Sequence, residues 1–406
     1  MLRVRTLSGE EVASIPVVEL SDVMALKQQL HRQHGLPTRF RQRLFHGGCP
    51  LEDAAKLDSP QVLDLVLLPY VEAAQSRADE LVTAAQDGFV AEVEALLQLP
   101  EKPDLAEAHP HQPLALASLG NHVEVARLLL EAGANKDFAT DFGFTALMLA
   151  SQQGHAEVSR LLLEAGADKD FASNFGFTAL MLASRRGHIE VARLLLEAGA
   201  DKDFANVDGF TALMMASQEG HVEVARLLLY SGADKDLANI SGYTALMIAF
   251  EKGPWVEVLR LLLEAGTNPD FATNNGFTAL MFASQEGHEE VARLMLEAGA
   301  DKALANLDGF TALMIASQEG HVEVARLLLE AGADKDFANV DGFTALMIAS
   351  QAGHLEVAHL LLYSGADKDL ANIHGDTALM LASQHDHMEV ERLLLEVGCD
   401  GVAKKP

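Results

Sequence analysis

Residues able to do chemistry are present in this chain, but they come in rows rather than in constellations. Histidines stand at 122, 155, 188, 221, 288, 321 and 354, one per unit of a recurring pattern. Rings placed one per unit are several ångströms apart, too far to share a metal ion whose nitrogen ligands lie about 2.0–2.1 Å from it. That spacing suits a structural role. A denser group, His374, His385 and His387 with Asp376 and Asp386, holds the ligand types that zinc accepts. Its His-Asp-His core, however, puts neighbouring residues on different faces of a helix. Recurring Asp-Lys-Asp triplets carry carboxylates but lack the glycine and closing glutamate of an EF-hand loop, so they read as solvated loop charge. Cys399 has no base beside it, and no glycine-rich phosphate loop follows a strand. No catalytic residue, metal site or cofactor is expected, and the chain does not read as an enzyme.

Charge narrows the partners instead. The 406 residues hold 59 acids against 30 bases, a net charge of −29, and residues 1–75 contribute 9 acids and 8 bases. Nearly all of the negative field therefore belongs to the remainder. Such a field repels phosphate backbones and anionic lipid, so proteins with basic surfaces are expected as partners, with no nucleic acid and no direct membrane binding. Two cysteines, Cys49 and Cys399, make no disulfide framework and suit a reducing compartment. Glu10 and Glu11 interrupt the N-terminus before any apolar stretch long enough for a signal peptide. No run approaches the roughly 18 apolar residues of a membrane span. The expectation is a soluble monomer of the cytoplasm, with the nucleus as a second compartment.

The elements that carry these rows repeat. Threonines of a Thr-Ala-Leu motif fall at 145, 178, 211, 244, 278, 311, 344 and 377, every 33 residues with one step of 34. Two degenerate copies precede them, starting near Leu81 and Leu114, which makes ten units. In the unit 308–335, Thr311 is a good N-cap and Gly320 a good helix stop. A second helix carries Val322, Val324, Leu327, Leu328 and Leu329 before Gly332 ends it. Helices this short are below the roughly 12–15 residues at which isolated helices become marginal in water. Each unit must bury itself against the next, as in a stacked solenoid. The segment 333–343 reads as an extended hairpin turning near Asp341-Gly342. The 34-residue step comes from "AFEKGPWVEVLRLLL" (249–263), where Pro254 and Trp255 add a residue and predict a local disturbance. Blocks at 204–214 and 337–347, and at 229–240 and 362–373, are identical and point to a duplication of four units.

The pattern G-x-T-A-L-x-x-A-x-x-x-G-H-x-E-V-x-x-L-L-L-x-x-G-A-D resembles the ankyrin repeat over residues 78–403, with 78–108 as a degenerate N-terminal cap and 377–403 as a C-terminal cap. That family usually writes Thr-Pro-Leu-His. Here Met148, Met181, Met214, Met247, Met281, Met314, Met347 and Met380 stand in place of the histidine, which predicts a methionine ladder packed between repeats. The resemblance implies two partner-binding rows. One is the hairpin tips, at Asp141, Asn174, Asp208, Ser241, Asn275, Asp308, Asp341 and His374. The other is the ends of the first helices, at Gln153, Arg185, Arg186, Glu219, Lys252, Trp255, Glu286 and Glu319. Both rows read as polar, mildly acidic and nearly uniform, which suits an extended or repetitive partner, or a young array whose specificity sits in a few atypical units. Arg185-Arg186 and the Trp255 unit stand out from them.

Residues 1–71 do not share the period. "LRVRTLSGEEVASIPVV" alternates as a strand hairpin, and Val23, Leu26 and Leu30 mark a helix ending at Gly35. "RQRLFHGGCPLED" and "VLDLVLL" read as two more strands. This ββαββ order, with TLSG (6–9), LP (36–37), QRLF (42–45), LED (51–53) and LDLVL (63–67), resembles the ubiquitin fold, an α+β β-grasp domain. No Gly-Gly tail follows. The chain runs through a short linker, 72–77, into the all-α repeats with their β-hairpin fingers, so the resemblance implies an integral, non-conjugatable docking module. Leu7, Phe45 and Val66 match the recognition patch of ubiquitin and imply a receptor for ubiquitin-like domains. The expected function is an adaptor, with a client on the repeats and ubiquitin-pathway machinery at the head. The competing reading is a structural or regulatory ankyrin scaffold with no ubiquitin-pathway role.

Overall fold

The computed structural model describes residues 1–70, 75–99, 102–104, 112–250 and 255–399. Lys252, Pro254, the linker positions 72–74 and the last residues of the array lie outside them, as does the side chain of Cys399. The chain divides into two compact units, Met1–Ala183 with His188–Asp201 and Ser184–Gly187 with Lys202–Pro406.

The first unit opens with β1 (Leu2–Thr6), β2 (Glu11–Ile15), α1 (Val23–His34), β3 (Gln42–His46), β4 (Cys49–Pro50) and β5 (Val62–Leu67). The strands form one sheet in the order β2-β1-β5-β3-β4, with β1 and β5 parallel at its centre and the other pairs antiparallel. The two-residue β4 escapes a sequence reading because it is too short to show alternation. Leu2, Val4, Leu44, Leu63 and Leu65 alternate onto one face, where Val23, Leu26 and Leu30 of α1 cover them. Asp22 caps α1 by accepting from the Ala25 amide at 2.8 Å, and Gly35 ends it with φ +66°.

Helix pairs follow. In the first unit these are α2 (Gln75–Asp87) with α3 (Val90–Leu97), α4 (Pro113–Leu119) with α5 (Val123–Ala132), α6 (Ala146–Gln153) with α7 (Ala156–Glu164), and α8 (Ala179–Arg186) with α9 (Ile189–Glu197). In the second they are α10 (Ala212–Gln218) with α11 (Val222–Tyr230), α12 (Ala245–Ile248) with α13 (Val256–Glu264), and α14 (Ala279–Glu286) with α15 (Glu289–Glu297). Three more complete it: α16 (Ala312–Glu319) with α17 (Val322–Glu330), α18 (Ala345–Ala352) with α19 (Leu355–Tyr363), and α20 (Ala378–Gln384) with α21 (Met388–Cys399). Helix α2 already runs from Gln75, inside the stretch read as linker.

Within each unit first helices pack on first helices and second on second, as in α14 on α16 on α18 and α15 on α17 on α19. Helices of eight or nine residues hold because this stacking, not their own propensity, supplies the burial. Met314 and Met347 are buried between neighbours, whereas Met380 of the last pair is 49% exposed. The methionine ladder therefore lies inside the stack and surfaces at its end.

Candidate functional site

The face of the sheet away from α1 carries Arg3, Arg5, Val62, Asp64, Val66, Arg43 and Phe45, by alternation from the buried positions. Leu7, just past β1, is 73% exposed; Phe45 and Val66 are half-buried. Arg43 lies opposite Val66 and Phe45 opposite Asp64 in the β3–β5 register, while Arg5 pairs with Asp64 at 2.7 Å. Apolar and charged groups thus share this face.

The head is not merely tethered to the repeats. Arg39, in a single 3₁₀ turn before β3, is 4% exposed. Its guanidinium reaches Asp53 at 2.8 Å within the head, Glu94 of α3 at 3.3 Å and Glu131 of α5 at 2.9 Å. Lys27, 2% exposed on α1, holds Asp53 from the other side at 2.6 Å. Burial opposes ionisation of Asp53, yet the two cations beside it outweigh that and hold its carboxyl below the ordinary range. Burial lowers the Lys27 ammonium below its usual value despite Asp53. The Ala132 carbonyl at the end of α5 accepts from the Tyr70 hydroxyl at 3.0 Å and from Thr38, and the Arg43 guanidinium donates to the Gln98 carbonyl at the end of α3. Carbonyls that helix ends leave unpaired are satisfied by the head.

In the repeats, the chemistry-bearing rows turn out to be mortar. Six of the turn histidines, 122, 155, 188, 221, 321 and 354, donate from Nε2 to a carbonyl 36 residues back, as His155 does to Leu119 at 3.0 Å, His321 to Gln285 at 3.0 Å and His354 to Gln318 at 2.9 Å. His387 does the same to Gln351, so it belongs to this row and not to a zinc cluster, while His385 bonds the Leu381 carbonyl. The Asp-Lys-Asp charges are not simply solvated. The second aspartate of a triplet accepts the amide that opens the next one, as Asp170 does from Asp201 at 2.7 Å and Asp203 from Asp234 at 2.8 Å. An inter-repeat hydrogen bond of this kind needs the next hairpin in place, which a single repeat read alone does not reveal.

The tip row is also tied along the backbone. Asp208, Ser241 and Asn275 give their carbonyls to the amides of Ile240, Asn274 and Leu307 at 3.1, 3.1 and 3.2 Å. Gly209, with φ +80°, permits this approach, since a Cβ there would stand 2.8 Å from the Ile240 amide nitrogen. Asp141, Asn174, Asp208, Ser241, Asn275, Asp308, Asp341 and His374 are all exposed. The description of these tips as polar needs correction. Beside the polar residues stand Val207, Ile240, Leu307, Val340 and Ile373, of which Leu307 is 72% exposed. The hairpin turn holds both tip residues outward, so alternation does not hide the apolar one.

In the helix-end row Gln153, Arg185, Arg186, Glu286 and Glu319 are exposed, and Glu219 is half-buried. Trp255 is assigned differently: its Nε1 donates to the Gln218 carbonyl at 3.0 Å, 37 residues back, in the place the turn histidines occupy. Trp255 thus keeps a place in the ladder, and α12, before it, is four residues long.

Beside that short helix lies a groove of about 710 Å³ lined by Phe210, Tyr243, Ile248, Phe250, Phe282 and Glu286 among others. Phe282 packs on Tyr243 at 5.6 Å and on Phe277 at 5.5 Å between ring centres. Phe250 stacks on His288 at 6.4 Å. Sequence reasoning missed Phe250 and Phe282, although a signal existed. Phe250 stands where the other units have serine (151, 184, 217, 284, 317, 350, 383), and Phe282 where they have leucine, isoleucine or methionine.

Among the described residues no helix is long and apolar enough to cross a membrane. A search of the curated proteins finds no match to the chain. The family model for ankyrin repeats (3 copies) matches residues 81–173, 165–239, 231–306, 299–372 and 341–405 in overlapping registers. With the paired helices, the turn-histidine ladder and the tied hairpins covering that same span, the chain belongs to the ankyrin repeat family.

Proposed function

We propose that this protein is a two-ended adaptor whose ankyrin repeats hold a basic, extended client while its head docks to a receptor of ubiquitin-like domains. A protein–protein interaction role comes with the ankyrin family. The repeats offer a tip row that mixes acids with exposed apolar side chains, a surface suited to a segment that alternates basic and apolar residues. For the head, the observation that supports the reading is its sheet: the strand order β2-β1-β5-β3-β4 under one helix is compatible with a ubiquitin-like domain, with Phe45 and Val66 half-buried on the face away from the helix and Leu7 exposed just past β1. The work assigned is binding, without catalysis, in the cytoplasm.

A second reading has its own observation. The buried Arg39 joint makes the head a lid on the first two repeats, so the head serves a scaffold simply as an N-terminal cap. Affinity capture from a lysate separates the two, using the full chain and the same chain with Leu7, Phe45 and Val66 changed to alanine. Both leave Arg39 in place. Ubiquitin-pathway receptors held by the first and lost from the second support the adaptor. Identical partner lists, free of such receptors, leave the cap.

A further inference from the structure

The groove beside α12 differs in kind from the tip row. Tyr243, Phe250, Phe282 and Phe210 give it aromatic walls, and the pairs Tyr243–Phe282 and Phe277–Phe282 hold those rings in tilted contact. Among the described lining residues Glu286 is the one acid, and none of them is a lysine or arginine. The Gln285 amide donates to Glu286 Oε1 at 3.1 Å, which orients the carboxylate. Two departures from the repeat create the space together: α12 stops at Ile248, and bulky Phe250 and Phe282 occupy positions that are serine and aliphatic elsewhere. The groove lies within the second unit and needs nothing from the head.

We propose that this groove is a subsite for an arginine side chain of the client. The occupant follows from charge complementarity. Aromatic faces attract a cation through their quadrupoles, and a carboxylate at the rim supplies the charge-assisted hydrogen bond. A guanidinium answers both demands better than an ammonium, because it is planar, stacks on rings, is weakly hydrated and forks onto a carboxylate. An uncharged apolar anchor would fill the volume but leave Glu286 unanswered. The proposal rests on the reading of the repeats as the holder of a basic segment, and it adds where that segment is anchored and by which residue.

The test uses the full chain and fluorescein-labelled octapeptides, (Gly-Arg)4, (Gly-citrulline)4 and (Gly-Leu)4, followed by fluorescence anisotropy. Citrulline keeps the shape of arginine and removes the charge. (Gly-Arg)4 is expected to bind about tenfold more tightly than the citrulline peptide. Glu286→Gln and Phe282→Leu should each weaken it by about three- to tenfold. Residue 282 tolerates leucine, which copies 149 and 182 already carry. Glu319→Gln, at the matching end of α16, should change affinity by less than about twofold if the site is local. Equal losses from Glu286→Gln and Glu319→Gln would reduce the effect to general acidity and overturn the subsite, as would a leucine peptide that binds as well as the arginine one. Both outcomes leave the client-holding reading standing. If none of the peptides binds the unaltered chain, that reading falls as well.

Discussion

The head and the repeats hold themselves together by opposite means. In the head, one sheet face and one helix close on a single core, and its buried cations, Lys27 and Arg39, form a node around Asp53. Among the described residues of the repeats there is no such node. The same few contacts (threonine cap, histidine to carbonyl, aspartate to amide, methionine against the next pair) recur along the row. A core that closes on itself concentrates its dependence in a few side chains. A stack that only adds neighbours spreads it, so that loss at one unit is felt by that unit and those beside it. The difference teaches where a single substitution should matter most.

The largest effect is expected at the node. Arg39→Ala leaves Glu94 and Glu131 without their cation and Asp53 with Lys27 alone; breaking a buried pair costs about 3–5 kcal/mol, and about 3 kcal/mol is expected here because the Glu94 and Glu131 side chains are 43% and 27% exposed. Urea denaturation should show it, together with faster amide exchange in α3 and α5. A loss under about 1 kcal/mol would mean the head and repeats do not depend on this joint.

Methionines sharpen the contrast within the stack. Met314→Ala should destabilise by about 2–3 kcal/mol because the side chain is buried between pairs. Met380→Ala, half-exposed at the end of the row, should stay within about 0.5 kcal/mol. Equal effects from both would show that position in the stack does not govern the ladder.

The turn ladder comes next. His354→Ala should cost about 1 kcal/mol by removing the bond to the Gln318 carbonyl. Trp255→His should be nearly neutral, within about 0.5 kcal/mol, because histidine is what every regular unit uses there. A severe loss from Trp255→His would show that the extra residue has made tryptophan's longer reach necessary.

Acid gives the smallest effect. The folded-state carboxyl of Asp53 titrates below its unfolded value, so its contribution is fully present above the ordinary aspartate range near about pH 3.9. It is lost as pH falls through the depressed folded value. Thermal melts below about pH 4 should decline less steeply for Asp53→Asn than for the unaltered chain, measured from their own neutral-pH baselines. Parallel declines would exclude Asp53 as a source of the acid sensitivity.

Much of this was legible before the structure because it is local. Thr311 and Met314, three residues apart, make a cap, and Gly320 ends the helix they open. The alternation in residues 2–15 marked the first strand hairpin, and the apolar run at 62–67 marked another strand. Trp255 was legible as an oddity but not as the stand-in for a histidine, since that role is set by a carbonyl 37 residues away. Likewise Phe250 and Phe282 were visible as exceptions, and only the shortened α12 turns them into a groove.

Sequence alone determined that the units are helix pairs, that one unit cannot stand by itself, and that the charge lies on the repeats. These follow from periodicity, capping and composition, which are properties of neighbours along the chain. Glutamates 131, 164, 197, 264, 297 and 330 occupy the same place in the same motif, Leu-Glu-Ala-Gly. Glu131 is the one whose carboxylate Arg39 holds, across 92 residues of chain. Nothing in its local sequence sets it apart from the others. Only the packing of the head against α3 and α5 decided it, because a buried ion pair depends on which groups the fold brings within reach and shields from water.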